Sequence, residues 1–217
     1  MVIIVAGGSG IRMKSIIPKQ FMLLNNKPIL LHTISAFLRY DAKMSIILVL
    51  PDEQISTWKS ICNKFSFNTP HKIVKGGNTR FDSVKNGINI IDESCIIAIH
   101  DGVRPLVSNN TISNAFNAAQ KFGTAIPVVA INDSIRKITK NTNKSLNRNN
   151  YKIVQTPQCF KSDILKKAYA QPYSDAFTDD ASVVEKLGKK IFIIEGNIEN
   201  IKITTPQDLK IAESLMK

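Results

Sequence analysis

The first thirteen residues constrain this chain more than any other stretch. An apolar run from Met1 to Val5 reads as a buried strand, and Ala6-Gly7-Gly8-Ser9-Gly10-Ile11-Arg12-Met13 follows it at once. Glycine at positions 7, 8 and 10 lets the backbone turn tightly and bring several N–H groups onto a ligand. Arg12 and, after Pro18, Lys19 add two permanent positive charges near the mouth of the turn. Backbone donors together with two cations suit a polyphosphate.

The turn is not a Walker A loop, because no Gly-Lys-Ser/Thr closes it. It departs from the dinucleotide fingerprint as well, since Met13 stands where the third glycine of G-x-G-x-x-G belongs. Two readings stay open on these residues alone: a glycine-rich turn with two solvated cations, and a nucleoside triphosphate loop.

The rest of the chain alternates apolar strands with amphipathic helices, the pattern of a mainly parallel sheet. Strands are expected over Ser45–Leu50, His71–Lys75, Cys95–Ile99, Thr124–Ala130 and Lys190–Glu195. Helices are expected over Pro28–Tyr40, Asp52–Lys64, from Thr79 to Ile91, Ser108–Phe122 and Lys161–Ala170, with Thr178 as the cap of a further one. Pro127 inside its strand points to an edge, a bulge or a strand end. A final helix opens at Thr205-Pro206-Gln207-Asp208 with a cap, a proline in the first turn and an acid. Just before it, Lys202 lies between two isoleucines and so points to the opposite face from them. At 217 residues the expectation is a single α/β domain.

The alternation breaks at residues 133–151, which are polar and asparagine-rich. Their weak alternation suggests a two-stranded arm turning near Asn141–Lys144 and covered by a partner subunit, since an uncovered edge is a liability. A surface loop is the plain alternative.

Charge and cysteine content narrow the class. The net charge is +12, but the lysines are scattered with no basic run, so no nucleic-acid face is expected; a positive cleft for phosphates accounts for part of it. The 3 cysteines, Cys62, Cys95 and Cys159, are far apart and suggest neither a zinc site nor a disulfide framework. No apolar run approaches a membrane span and the N-terminus reads as a core strand, not a signal peptide; a cytoplasmic protein is expected.

Two further stretches carry chemistry. Gly76-Gly77-Asn78-Thr79-Arg80-Phe81-Asp82-Ser83-Val84 places a glycine pair between a strand and a helix, a second site of close backbone approach. His100-Asp101-Gly102-Val103-Arg104-Pro105 follows a strand, where ligands sit in open α/β sheets. His100 reads as a hydrogen-bonded structural histidine. Asp179 and Asp180 read as a charged helix start, with metal ligation as the alternative.

Taken in order, these segments resemble the 2-C-methyl-D-erythritol 4-phosphate cytidylyltransferases of the non-mevalonate isoprenoid pathway. The resemblance runs along essentially the whole chain. It is carried by A-G-G-S-G-I-R-M at 6–13, P-K-Q-F at 18–21, G-G-N-T-R-F-D-S-V at 76–84 and H-D-G-V-R-P at 100–105. D-S-I-R at 133–136, Q-T-P-Q at 155–158, T-D-D-A-S-V-V-E at 178–185 and N-I-K-I-T-T-P at 200–206 complete it. It implies a Rossmann-like α/β fold, a mainly parallel sheet with helices on both faces and a protruding β-arm. It also implies CTP and a sugar-alcohol phosphate as substrates, magnesium as cofactor, and a homodimer through the arm.

Carried over by position, the resemblance makes Arg12, Lys19, Arg148 and Lys202 the catalytic residues. It makes Ala6, Gly7, Gly8, Ser9, Gly10, Gly77, Ser83 and Asp101 the CTP-binding set, with Asp101 near the metal. Arg104, Ser134, Thr156 and Thr178 fall on the side of the sugar phosphate. This chain departs from the family's commoner residues at Gly7, Asn78, Gly102-Val103 and Ser134. A ribitol 5-phosphate cytidylyltransferase is the nearest alternative, and a non-catalytic nucleotide- or RNA-binding protein the alternative of another class.

Overall fold

The computed structural model describes residues 1–7, 13 and 17–216. Gly8, Ser9, Gly10 and Arg12 lie outside the described residues, and all that follows concerns the others.

Strand β1 (Val2–Val5) lies within the parallel part of the sheet, with β4 (Ile46–Leu50) on one side and β6 (Ile96–Asp101) on the other, both parallel to it. β5 (Lys72–Lys75) continues the parallel part beyond β4. Beyond β6 the sheet is mixed. β11 (Gln158–Lys161) runs antiparallel between β6 and β7 (Thr124–Ala130), β10 (Lys152–Val154) pairs antiparallel with β7, and β12 (Ile193–Glu195) runs parallel to it. The sheet is thus parallel from β6 to its β5 edge and mixed at the other end.

Alternate residues of the central strands feed two cores, as the period of 2 along a strand requires. Val2, Ile4 and Leu48 pack with Leu30, Leu31 and Ile34 of α1 (Ile29–Tyr40), Trp58 of α2 (Asp52–Lys64) and Ile112 of α4 (Asn109–Phe122). Ile3, Ile47 and Ile99 pack on the other face with Val84 of α3 (Arg80–Asn89), Leu165 of α5 (Ser162–Tyr169) and Val184 of α6 (Asp180–Glu185). Because both faces are covered, β1 and β4 read as unbroken apolar runs and not as alternations. A small third cluster seats Ile203, and Ala212 of α7 (Pro206–Leu215), against Ile29, Val103 and Leu24 of the short antiparallel pair β2 (Leu23–Leu24) and β3 (Lys27–Pro28).

Several sequence expectations change. The strand expected to end at Ile99 runs on through His100 and Asp101, because these residues continue the parallel pairing with Ile4 and Val5. Asp101 therefore stands on a strand and not on an irregular loop. Pro127 is inside β7, with β12 on one side and β10–β11 on the other. Its missing N–H falls where the partner changes from β11 to β10, and its carbonyl accepts from Gln155 at 2.8 Å. Asp179, not Thr178, caps α6: its side chain accepts from the N–H of Ser182. After the arm, Ile153 and Val154 of β10 are exposed and the chain enters the core from Gln155 onward.

Residues 135–146 form a two-stranded antiparallel sheet, β8 (Ile135–Ile138) with β9 (Asn143–Leu146). It turns at residues 139–142, where Thr139 N–H donates to Thr142 O at 2.9 Å, two residues earlier than expected. Among the described residues no helix is long and apolar enough to cross a membrane.

Candidate active site

The carboxyl ends of β1 and β6 and the amino end of α3 enclose a cleft of about 250 Å³. Ala6, Gly7, Lys19, Gln20, Gly77, Thr79, Arg80, Ser83, Asp101 and Lys202 line it. Residues scattered over nearly 200 positions meet there because the parallel strands all deliver their C-termini to one edge.

Each wall has a local cause. Lys19 is carried by a 3-10 turn, Lys19–Phe21, whose other two residues are buried. Thr79 forms a capping box with Asp82, which starts α3 and directs its first turn at the cleft. Gly77 lies so close to that turn that a Cβ would stand 2.3 Å from the Cβ of Asp82, and its N–H donates to Ser83 Oγ at 3.1 Å. Ile203 is buried and its N–H donates to Val103 O at 3.0 Å, so the preceding Lys202 faces outward into the cleft.

Asp101 is the electrostatic centre. Its Oδ2 takes Arg104 Nε at 3.0 Å and Lys202 Nζ at 3.1 Å. Burial by itself would raise this carboxyl, but the cations of Lys202, Arg80 and Arg104, with the Arg104 hydrogen bond, hold it well below the usual carboxylate range. Arg104 Nη1 also donates to Asn200 O at 2.8 Å, tying this corner to the segment that carries Lys202.

Beneath Asp101 lies a polar relay. Asp101 N–H donates to Thr156 Oγ1 at 3.1 Å, and that hydroxyl lies 3.0 Å from His100 Nδ1. His100 Nε2 lies 3.0 Å from Arg104 O. A carbonyl only accepts, so Nε2 carries the proton and Nδ1 accepts from Thr156. Burial drives the His100 ring down to about 4, against 6.5 ordinarily, so it is a neutral support. Thr156, expected on the substrate side, is buried with its hydroxyl committed to this relay.

A second acid–base pair escaped the sequence. Arg80 forms a two-pronged ion pair with Asp180, at 2.8 and 2.6 Å, and Tyr169 Oη donates to the same carboxylate at 2.6 Å. Asp180 is fully buried and Arg80 only partly. Burial opposes the charged guanidinium, but Asp180 outweighs it and raises Arg80 above its ordinary value. The partners are 100 residues apart, so no local pattern pointed to them. Asp180 is accordingly the buried counter-ion of Arg80 as well as a charge in the first turn of α6. Gln158 completes the seat, donating to Asp179 at 2.8 Å and accepting from Ala181 N–H at 2.8 Å.

The remaining expected residues lie apart. Arg104 is one step behind the cleft. Thr178 borders a neighbouring hollow with Arg80 and Phe81. Ser134 and Arg148 are exposed beside the hairpin and line no part of this chain's cleft; Arg148 donates to Asn132 O. Cys62, Cys95 and Cys159 are free thiols.

A sheet whose parallel half carries, at its strand ends, a cationic cleft edged by glycines defines a protein of the nucleotidyltransferase fold. Residues 1–217 match the model of the IspD family, 2-C-methyl-D-erythritol 4-phosphate cytidylyltransferase, and the chain belongs to that family. A protein of that name from Azobacteroides pseudotrichonymphae is 54% identical over 217 residues, covering 99% of this chain and 97% of its own. Its counterpart in Phocaeicola vulgatus is 51% identical over 215 residues, covering 99% and 98%. The crystal structure of 4-diphosphocytidyl-2C-methyl-D-erythritol synthase from Anaerococcus prevotii superposes with a TM-score of 0.83 at 28% identity, covering 99% of this chain and 94% of that one. These matches do not favour the ribitol 5-phosphate alternative.

Proposed function

We infer that this enzyme joins CTP and 2-C-methyl-D-erythritol 4-phosphate, giving 4-diphosphocytidyl-2-C-methyl-D-erythritol and pyrophosphate, the cytidylyl transfer of its family in isoprenoid synthesis. A phosphate oxygen of the methylerythritol phosphate attacks the α-phosphorus of CTP. A P–O bond forms there as the bond from that phosphorus to the α,β-bridging oxygen breaks, and pyrophosphate leaves with the bond's electrons.

The attacking oxygen is already anionic, so no general base is required. The barrier to overcome is repulsion between two anions. Even two unit charges 4 Å apart repel by about 4 kcal/mol at an effective dielectric of about 20, and the phosphates carry more. Lys19, Lys202 and Arg12 offset that repulsion, while the glycines that follow Ala6 offer backbone N–H groups to the nucleotide and Gly77, with no side chain, lets it approach closely. Ser83 and Gly77 form the wall assigned to the base. The observation that carries this reading is the convergence of Lys19, Lys202 and Asp101 on one cleft at the end of β1.

Magnesium fits the donor set. Among the described residues no three His, Cys, Asp or Glu gather as a protein cage. Among the described residues Asp101 is the single carboxylate in the cleft wall, and its ion pairs with Arg104 and Lys202 fall on Oδ2. One carboxylate with triphosphate oxygens and water is the usual magnesium arrangement beside phosphates. Asp101 would hold the ion with the triphosphate, and the ion would supply further charge neutralisation.

The arm supports a homodimer. β8 and β9 pair only with each other among the described residues, and Ile138, Ile153 and Ile193 are 73%, 50% and 61% exposed. A second copy covering this face would bring Ser134 and Arg148 to a methylerythritol phosphate in its own cleft. The three unpaired thiols and the use of CTP are in keeping with a cytoplasmic setting.

Pyrophosphate release tests the reading. Release from CTP is expected with 2-C-methyl-D-erythritol 4-phosphate and not with ribitol 5-phosphate. Turnover with ribitol 5-phosphate alone would reverse the substrate assignment.

A further inference from the structure

Gln20 is wholly buried, yet it borders the cleft next to Lys19. Its Nε2 donates to Ala6 O at 2.7 Å and to Gln54 Oε1 of α2 at 2.5 Å. Ala6 O only accepts, so the side-chain amide can face it in one orientation alone. Ala6 is the residue at which β1 passes into the glycine-rich turn, and its own N–H is held by Val49 O at 3.0 Å. On the other side of the 3-10 turn, Phe21 stacks on Trp58 of α2 with ring centroids 6.2 Å apart. The turn is thus anchored at two of its three residues, and the third, Lys19, borders the cleft.

We propose that Gln20 is a positioning residue: its amide ties the Lys19 turn to the carbonyl of Ala6, so that the Lys19 ammonium and the backbone of the glycine-rich turn address the same triphosphate. The proposal rests on the assignment of Lys19 above. Without the tether, Lys19 keeps its charge and its chain but loses its fixed distance from Ala6. A long flexible ammonium stem then spreads over several rotamers, and the charge is no longer preorganised. Gln20 Oε1 is buried with no hydrogen-bond partner among the described residues, so what the amide contributes here is its Nε2 donor, and an apolar side chain would leave Ala6 O without it. That is the pattern of a group kept for its donor.

A double-mutant cycle tests this. Gln20→Glu preserves the shape but presents no donor to Ala6 O; Gln20→Asn keeps the amide but draws it back by one methylene. Each is made alone and on Lys19→Ala, with folding checked by circular dichroism so that either variant carries the test if the other does not fold. Alone, each lowers kcat by about tenfold or more, the scale of a small misplacement of a charged group. The KM for the methylerythritol phosphate moves less than about twofold, since uniform binding is untouched. On Lys19→Ala the same substitutions cost less than about twofold, because what they misplace is already gone. Full additive losses on that background, or wild-type turnover in the Gln20 variants beside a disabled Lys19→Ala, overturn the tether and leave Lys19 standing. Wild-type turnover in Lys19→Ala alone overturns the assignment of Lys19, and the tether with it.

Discussion

Protonating His100 should weaken the fold and the site together, over a pH window that the structure sets. The ring is fully buried, with Nδ1 accepting from Thr156 and Nε2 donating to Arg104 O. Burial lowers its proton affinity from the ordinary 6.5 to about 4. A group whose folded value is depressed contributes stability that is fully present above its unfolded value, here 6.5. That contribution is lost as the pH falls toward 4. At 1.36 kcal/mol per pH unit the loss amounts to about 3 kcal/mol by pH 4. This is a large share of a typical domain's total stability of about 5–15 kcal/mol.

Asp101 has the same sign but a different window. Its carboxyl is depressed below 3.8, so its contribution persists through this range and fades only below pH 3.8. The charged His100 ring would also sit beside Arg104 and Lys202, whose coulombic effect already opposes it. Urea denaturation at pH 7.5 and pH 4.5 of the wild type and of His100→Gln gives the measurement. The wild-type advantage should shrink by about 2–3 kcal/mol between the two. Nuclear magnetic resonance of the 3 histidines adds a direct reading, with one ring remaining neutral down to the region of pH 4. A constant advantage across the range, or a His100 ring titrating near 6.5, refutes the reasoning.

Lys19→Ala and Arg12→Ala should each lower kcat by about a hundredfold or more, the cost of one preorganised electrostatic contact, as read by pyrophosphate release. Asp180→Ala should cost about 3–5 kcal/mol in urea melts, because it leaves the Arg80 guanidinium without its buried partner; a loss under about 1 kcal/mol would show that water replaces the carboxylate. Arg148→Ala mixed with Lys19→Ala should regain activity through mixed dimers with one intact site, whereas two inactive variants that stay inactive when mixed would show that Arg148 does not act in its partner's cleft.

The motifs that frame the cleft were legible because each is local. Thr79 and Thr205 are followed three residues on by Asp82 and Asp208, and each threonine caps its helix in a capping box. Lys202 between Ile201 and Ile203 is a matter of alternation alone. Asp101 was recognised but misplaced by one structural class, since only its pairing partner Val5 reveals that the strand continues. Thr156 was recognised as part of a motif, but its hydroxyl points to His100 and Asp101, 56 and 55 residues away in sequence.

Although it held no sign of β11 (Gln158–Lys161), the sequence by itself determined the apolar strands of the parallel part, the helices between them and the glycines that follow the first strand. Those properties follow from side-chain period and backbone freedom within a few residues. The tertiary structure alone decided that Arg80 meets Asp180, that Gln20 reaches Ala6, and that the Thr156 hydroxyl lies between Asp101 N–H and His100 Nδ1. Hydropathy states which face of an element is buried, whereas the partner of a buried polar group depends on which other elements pack against that face and in what register.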